Sequence, residues 1–110
     1  GLFRKAIESF DESLALKGPA ARILQQRAEA KSRLGDHVGA KQDIEAAVQQ
    51  DPKNAAIYDT LGSIRLRAHR YAQAAGDLSQ ALLLDDKRAS AYLRRGEAYG
   101  ALGRMRRSNA

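Results

Sequence analysis

The stretch that decides the fold runs from residue 61 to residue 84 and reads LGSIRLRAHRYAQAAGDLSQALLL. Its apolar residues recur at the three- and four-residue intervals of two amphipathic helices. His69 lies between them, at the place where the chain must turn. We therefore predict two short helices folded back on each other as a hairpin, and the rest of the chain repeats this pattern.

A period of 34 residues relates this hairpin to the segments on either side of it. Two antiparallel helices approach closely only where side chains are small, and large apolar residues beside those contacts fill the remaining space. Both kinds of residue recur at this period. We call residues that lie 34 positions apart a column. The turn column contains Gly1, Gly35, His69 and Gly103, a column of small residues contains Ala28, Gly62 and Gly96, and a column of large apolar residues contains Phe10, Ile44 and Leu78.

These columns resemble the pattern of the tetratricopeptide repeat family over essentially the whole chain. The matching positions are Tyr58, Leu61, Gly62, Tyr71, Ala74, Leu78 and Ala81, and Asp51 and Pro52 close the preceding repeat. The sequence departs from the family at Asp86, where a closing proline is expected, and at Lys31 and Arg65, which replace tyrosine. The resemblance implies an all-α fold, an α-α superhelix (solenoid) of stacked antiparallel helix hairpins with a 34-residue repeat.

Turn residues divide the chain into one domain of four segments. We expect residues 1–18 to be the second helix of a truncated repeat, and 21–54 and 55–88 to be full repeats. Residues 89–110 are expected to hold a first helix over 89–102, ended by Gly103, and the start of a second helix. Asn54 is the predicted N-cap of the helix that follows it. The N-terminus has no initiator methionine, so we expect a fragment of a longer protein. Because neither end carries a polar cap, we expect this fragment either to be marginally stable or to self-associate head to tail through its end helices.

The composition argues against several classes of function. The absence of cysteine excludes disulfides and thiolate metal sites and fits a reducing compartment, so we expect a cytoplasmic location. No apolar run approaches the roughly 18 residues of a membrane span. His37 and His69 lie in turn columns and lack the spacing of a metal pair. We therefore expect no catalytic residues, no cofactor and no metal, and predict that the chain is not an enzyme.

The net charge of +6 is unevenly distributed. Residues 1–86 carry twelve basic and twelve acidic side chains, whereas residues 87–110 carry seven basic side chains against Glu97 alone. A basic patch attracts anions, including nucleic acids. Because Tyr92 and Tyr99 occupy core columns rather than a base-stacking row, we expect no nucleic-acid partner, with a weak anion surface as an alternative.

Polar residues on the first helix of each hairpin are the candidate binding site, because the resemblance implies that these helices line a concave face. Arginine there favours carboxylates through paired hydrogen bonds. The predicted peptide-binding residues are Arg22, Gln25, Gln26, Glu29, Arg33, Asp59, Thr60, Ser63, Arg67, Arg94 and Glu97. The family also has a carboxylate clamp for chaperone tails. Its positions read Gln25, Glu29, Thr60, Ser90 and Arg94 here, and only Arg94 matches, which argues against a clamp within these residues.

Two other arginines have a structural explanation. Asp43 and Asp77 lie on second helices one repeat apart, and we predict that Arg27 pairs with Asp43 and Arg95 with Asp77. The function that the sequence favours is a protein–protein interaction module, a scaffold or adaptor that could act as a co-chaperone and holds a peptide or partner helix in its concave groove. The alternative is a regulatory or substrate-docking segment of a larger enzyme.

Overall fold

The computed structural model describes the backbone of residues 1–108 as six α-helices without strands. None of these six helices is long and apolar enough to cross a membrane. The helices follow one another along the chain in this order: α1 (Leu2–Lys17), α2 (Ala21–Arg33), α3 (His37–Gln50), α4 (Ala55–Arg67), α5 (Tyr71–Leu84) and α6 (Ala89–Ser108).

The helix ends follow from local side-chain chemistry. Asn54 accepts a hydrogen bond from the backbone N–H of Ala56 at 3.0 Å, which confirms it as the N-cap of α4. Asp36 does the same for α3, accepting from Gly39 at 2.9 Å. Gly35 and His69 both adopt positive φ, of 87° and 59°, so the turn column requires a left-handed residue at both hairpins. A histidine tolerates this conformation better than a β-branched residue would.

Each helix packs against its neighbour in the chain, and the first helices also contact one another, α2 with α4 and α4 with α6. This arrangement is the predicted solenoid of stacked hairpins. The small column lets the helices approach, and the Leu78 side chain lies directly over Gly62. Large apolar residues then fill the interior, and Ile44, Ile57 and Leu78 are completely buried.

The last helix differs from the prediction. We expected Gly103 to end it, but α6 continues for 20 residues, from Ala89 to Ser108. A glycine within a helix costs only about 1 kcal/mol relative to alanine, and the arginines and methionine that follow are good helix formers. The expected second-helix start at residues 103–108 is therefore wrong, and its last two positions, Asn109 and Ala110, lie outside the described residues.

Apolar side chains remain exposed on both end helices. Leu2 and Leu16 of α1 and Leu93 and Tyr99 of α6 are all more than half exposed. Such surface favours association with another apolar face. Head-to-tail self-association through these helices stays a prediction.

Candidate functional site: a polar ladder on the first helices

Hydrogen bonds join each first helix to the next at a constant spacing. Gln25 donates to Thr60 Oγ1 at 2.9 Å, and Arg94 donates to Asp59 Oδ1 at 2.8 Å; in each pair the residues are 35 positions apart. Gln25 also donates to the carbonyl oxygen of Ala56, 31 positions away, and Ser90 Oγ donates to Asp59 over the same spacing. Gln25 and Asp59 are one repeat apart and so occupy the same column. Each of them bonds to the residues that lie 31 and 35 positions later in the chain. We call these contacts the polar ladder.

The strongest part of the ladder centres on Asp59. This carboxylate is only 1% exposed, yet it accepts hydrogen bonds from Arg88 and Arg94, which are each about a third exposed, and from Ser90. Burial by itself would raise the pKa of Asp59, but the hydrogen bonds from Ser90 and Arg94 and the Arg94 charge outweigh it, so the pKa is lowered. Asp59 is therefore ionised at neutral pH and fixes two guanidinium groups on the surface.

A second charged group links α2 to α4. Arg67 donates to Glu29 Oε1 at 2.8 Å and to Ser32 Oγ at 3.4 Å. Arg33 reaches the same Glu29 oxygen from its own helix, at 3.2 Å. One carboxylate thus holds two arginines here as well, and we include these contacts of Glu29 in the polar ladder. Around both Asp59 and Glu29, two arginines face a single carboxylate, which leaves an excess of positive charge.

The structure divides the predicted site residues into three sets. Six of them are brought together by the ladder with accessible side chains: Gln25, Glu29, Arg33, Thr60, Arg67 and Arg94. The side chains of Arg22, Gln26 and Glu97 are exposed and form no hydrogen bond or ion pair within the described part of the chain. Asp59 and Ser63 are buried, so the expectation that these two contact a peptide directly is not kept.

Sequence reasoning missed Arg88 and Ser32. Arg88 precedes α6, outside the helical face that we considered, and Ser32 is buried beneath Arg67. The ladder spacing could have found Ser32, because it lies 35 residues before Arg67. Arg88 lies 29 residues after Asp59, a spacing that only the turn geometry produces.

The second helices carry the two aspartates for which we predicted arginine partners. The first pair is confirmed: Arg27 donates two hydrogen bonds to Asp43, both at 2.7 Å, and Lys31 adds an ion pair at 3.1 Å. Burial would raise the pKa of Asp43, but these bonds from Arg27 and Lys31 lower it overall. Arg27 also reaches Asp11 on α1 at 2.9 Å, so one arginine ties three helices together.

The second predicted pair is wrong. Arg95 donates to Ser79 at 3.1 Å and lies over the rings of Tyr92 and Tyr99. Asp77 is instead close to Arg65, with Nε 3.2 Å from Oδ2, but this oxygen has no aligned hydrogen-bond partner within residues 1–108. The reason is that the column of Arg27 holds Leu61 one repeat later, so Asp77 lacks its bidentate partner. Burial raises the pKa of Asp77 to about 6, and the charge of Arg65 only partly offsets this.

The raised pKa of Asp77 predicts that ionisation of this carboxyl group destabilises the folded state as the pH rises. Between the unfolded value of 3.8 and about 6 the folded state binds more protons, so the free energy of unfolding falls as pH rises through this window. We expect Asp77→Asn, which cannot ionise, to raise the free energy of unfolding by about 1–2 kcal/mol at pH 7.5. At pH 4 the difference should be much smaller. Urea unfolding followed by circular dichroism at both pH values measures it.

Asp43→Asn is the matched control, because Asp43 occupies the same column one repeat earlier. It should lower the free energy of unfolding at pH 7.5, since it removes the charge that Arg27 and Lys31 neutralise. Changes of the same sign at both positions would contradict this account of Asp77.

Across residues 1–108, no group of three or more histidine, aspartate or glutamate side chains is arranged to hold a metal ion. His69 Nδ1 lies 2.6 Å from the hydroxyl of Tyr71 beside it, and His37 is exposed in the first turn of α3. The polar ladder is therefore the candidate site that the fold builds.

Comparisons with known proteins agree with this geometry. A family model described as the tetratricopeptide repeat matches residues 21–54. Serine/threonine-protein phosphatase 5 from Rattus norvegicus is 33% identical over an alignment of 94 residues that covers 80% of this chain. The human protein matches equally well. The chain spans about a fifth of the length of these curated relatives, 19% in the alignment.

Solved structures match over most of the chain. The Arabidopsis OM64 TPR domain has a TM-score of 0.79 at 30% identity, covering 88% of this chain and 80% of that domain. The first TPR of Spaghetti (RPAP3), solved with an HSP90 peptide, SRMEEVD, has a TM-score of 0.83 at 21% identity, covering 94% of this chain and 82% of that one. With its repeat columns, its stacked hairpins and these relatives, the chain belongs to the tetratricopeptide repeat family.

Proposed function

We propose that the concave surface of the first helices binds an extended peptide that carries acidic residues. The observation that supports this is the polar ladder, in which buried Asp59 and half-buried Glu29 each hold two arginines in place. A guanidinium group that is already ordered loses less conformational entropy when it pairs with a ligand carboxylate. These arginines therefore suit acidic side chains in an extended segment lying across α2, α4 and α6.

The charge balance of the surface points to the same ligand. Its five arginines are Arg22, Arg33, Arg67, Arg88 and Arg94, against the three carboxylates Glu29, Asp59 and Glu97. The surface thus carries an excess of two positive charges, and one carboxylate, Asp59, is buried. An acidic peptide is attracted to such a surface, with an effect on association rate that weakens as salt is added.

Peptides of HSP90 and HSP70 are the ligands of two structural neighbours. The first TPR of Spaghetti (RPAP3) was solved with the HSP90 peptide SRMEEVD, and the second TPR domain of human RPAP3 with the HSP70 peptide SGPTIEEVD. In this chain Gln25 is bonded to Thr60, while Ser90 and Arg94 are bonded to Asp59, so four of the clamp positions are used within the chain. We infer that an acidic peptide is held by its side chains, and that its terminal carboxylate contributes little.

Calorimetric titration of the 110-residue chain with SRMEEVD tests this proposal. We expect weak binding that persists when the C-terminus of the peptide is amidated. Arg22→Glu should weaken it about three- to tenfold, because the exposed Arg22 contributes attraction without bracing the fold. Lys53→Glu makes the same charge change in the turn before α4 and should alter the affinity less. No binding, or binding lost on amidation, would overturn side-chain recognition at this groove.

A double variant on the same surface identifies the physiological partner. A pull-down from cell extract with the wild-type chain beside Arg22→Glu/Gln26→Glu should retain proteins that the double variant loses. The similarity to a fifth of phosphatase 5 is equally consistent with an adaptor and with a docking segment of an enzyme. A cytoplasmic location stays a prediction.

A further inference from the structure

A cleft of about 270 Å³ lies away from the polar ladder. Its walls come from the first turns of α3 and α5, and its floor from the second half of α4. The floor is apolar, made by the buried side chains of Leu61 and Ile64, and one wall is Val38, which is 71% exposed. No residue of the polar ladder lines this cleft. It is therefore a separate surface, formed by α3, α4 and the start of α5.

Two substitutions within the repeat columns distinguish the lining of this cleft from that of the next repeat. One repeat later, Tyr71 takes the place of His37, and Leu102 takes the place of Ala68. Tyr71 is half-buried and hydrogen-bonded to His69, whereas Gly35 occupies the column of His69 in the earlier repeat and offers no such partner. His37 therefore stays exposed, and the short Ala68 leaves the space above the buried Ile64 unfilled. The depression beside Tyr71 in the next repeat has a similar volume, about 280 Å³, but is more open to solvent.

Cationic side chains surround this apolar floor. Lys41, Arg65 and Arg70 line the cleft together with His37 and Gln73. Lys41 has only a long 3.9 Å contact with Glu45, and Arg65 is shared with Asp77. The exposed side chain of Arg70 forms no hydrogen bond or ion pair within the part of the chain that the structure describes. An anionic group at the rim would thus be paired directly by Arg70 and attracted by Lys41.

The size of the cleft limits its occupant. Sites for whole drug-sized molecules or cofactors measure about 300–1,000 Å³, so this cleft suits one or two side chains. Val38 is a large exposed aliphatic group beside a buried apolar floor, and such a surface is stabilised when another apolar side chain covers it. The cationic rim then selects for carboxylates on either side of that apolar group.

We propose that this cleft is a second peptide-binding site, which takes a large aliphatic side chain flanked by acidic residues. The occupant is a partner segment of the type Glu-Leu-Glu. The leucine lies over Leu61 and Ile64, and a neighbouring carboxylate pairs with Arg70. With the concave surface, the module would then hold one partner at two places or two partners at once, and a second site of this kind raises the overall affinity by effective concentration.

An NMR titration of the ¹⁵N-labelled 110-residue chain with acetyl-Glu-Leu-Glu-amide tests the proposal. We expect saturable shifts of the backbone amides of Val38, Ala68 and Arg70, with little change at Gln25 and Thr60. Acetyl-Gln-Leu-Gln-amide, which lacks the charges, should bind more weakly. Ala68→Leu places in the cleft the residue that the next repeat carries there, and should weaken binding at least tenfold.

Two further variants keep the result decisive if Ala68→Leu misfolds. Arg70→Glu reverses an exposed charge at the rim and should also weaken binding about tenfold, whereas Arg22→Glu, on the concave surface, should leave it unchanged. Shifts confined to the concave residues, equal affinity of the wild type and Arg70→Glu, or no shift at all would each overturn the cleft proposal. Because SRMEEVD also carries an aliphatic residue between carboxylates, Arg22→Glu and Arg70→Glu are compared with both peptides, so that each site is judged by the loss of binding in its own variant.

Discussion

Replacing Asp59 with alanine is expected to lower the free energy of unfolding by about 3 kcal/mol. The variant leaves Arg88, Ser90 and Arg94 without their shared acceptor and opens a small space beneath α6. Losing one partner of a buried ion pair usually costs about 3–5 kcal/mol, and the lower end applies because both arginines are about a third exposed and can reach water. Urea unfolding monitored by circular dichroism measures the change.

Hydrogen exchange shows which helices are destabilised in the Asp59→Ala variant. Asp59 joins α4 to α6, so hydrogen exchange should accelerate in α6 more than in α2 and α3, since stability in stacked repeats depends on contacts between neighbours. Asp86→Ala, in the exposed turn before α6, is the control and should change the free energy of unfolding by less than about 0.5 kcal/mol. If Asp59→Ala were no more destabilising than Asp86→Ala, the carboxylate would not be the centre of the ladder.

Gly62→Ala is expected to lower the free energy of unfolding by about 2 kcal/mol, even though alanine is the better helix former. A Cβ atom at this position would lie 2.5 Å from both Cγ and Cδ2 of Leu78. Leu78 is completely buried, so its side chain has no free space into which to move. The α4–α5 hairpin must separate, and packing around Leu82 and Ala91 loosens with it.

Gly96→Ala makes the same change one repeat later and should instead raise the free energy of unfolding. A Cβ atom on Gly96 meets no atom within 4 Å in the described structure, so the helix propensity gain of up to about 1 kcal/mol should appear undiminished. Both variants are compared by urea unfolding of the 110-residue chain. Equal changes at the two glycines would mean that the approach of Leu78 to Gly62 does not limit the packing of the hairpin.

Much of the candidate site could be placed from sequence, because the repeat assigns each residue to a helix and to a face. Gln25, Thr60, Arg67 and Arg94 do lie together on the first helices. Their partners within the chain could not be chosen in this way. The column of a residue shows which face of the helix its side chain lies on. The partner with which that side chain forms a hydrogen bond depends on how far one helix is shifted along the next. Here that shift brings residues 31 and 35 positions apart into contact.

The sequence by itself determined the hairpin fold, since small and large residues at a period of 34 can be buried together only when helices stack in that register. It also determined the caps, because Asn54 and Gly35 act within a few residues of their own position. Only the tertiary structure decided that Asp59 is buried beneath two arginines and that Asp77 lies beside Arg65. Those outcomes depend on distances between helices that are far apart in the chain, which no local pattern records.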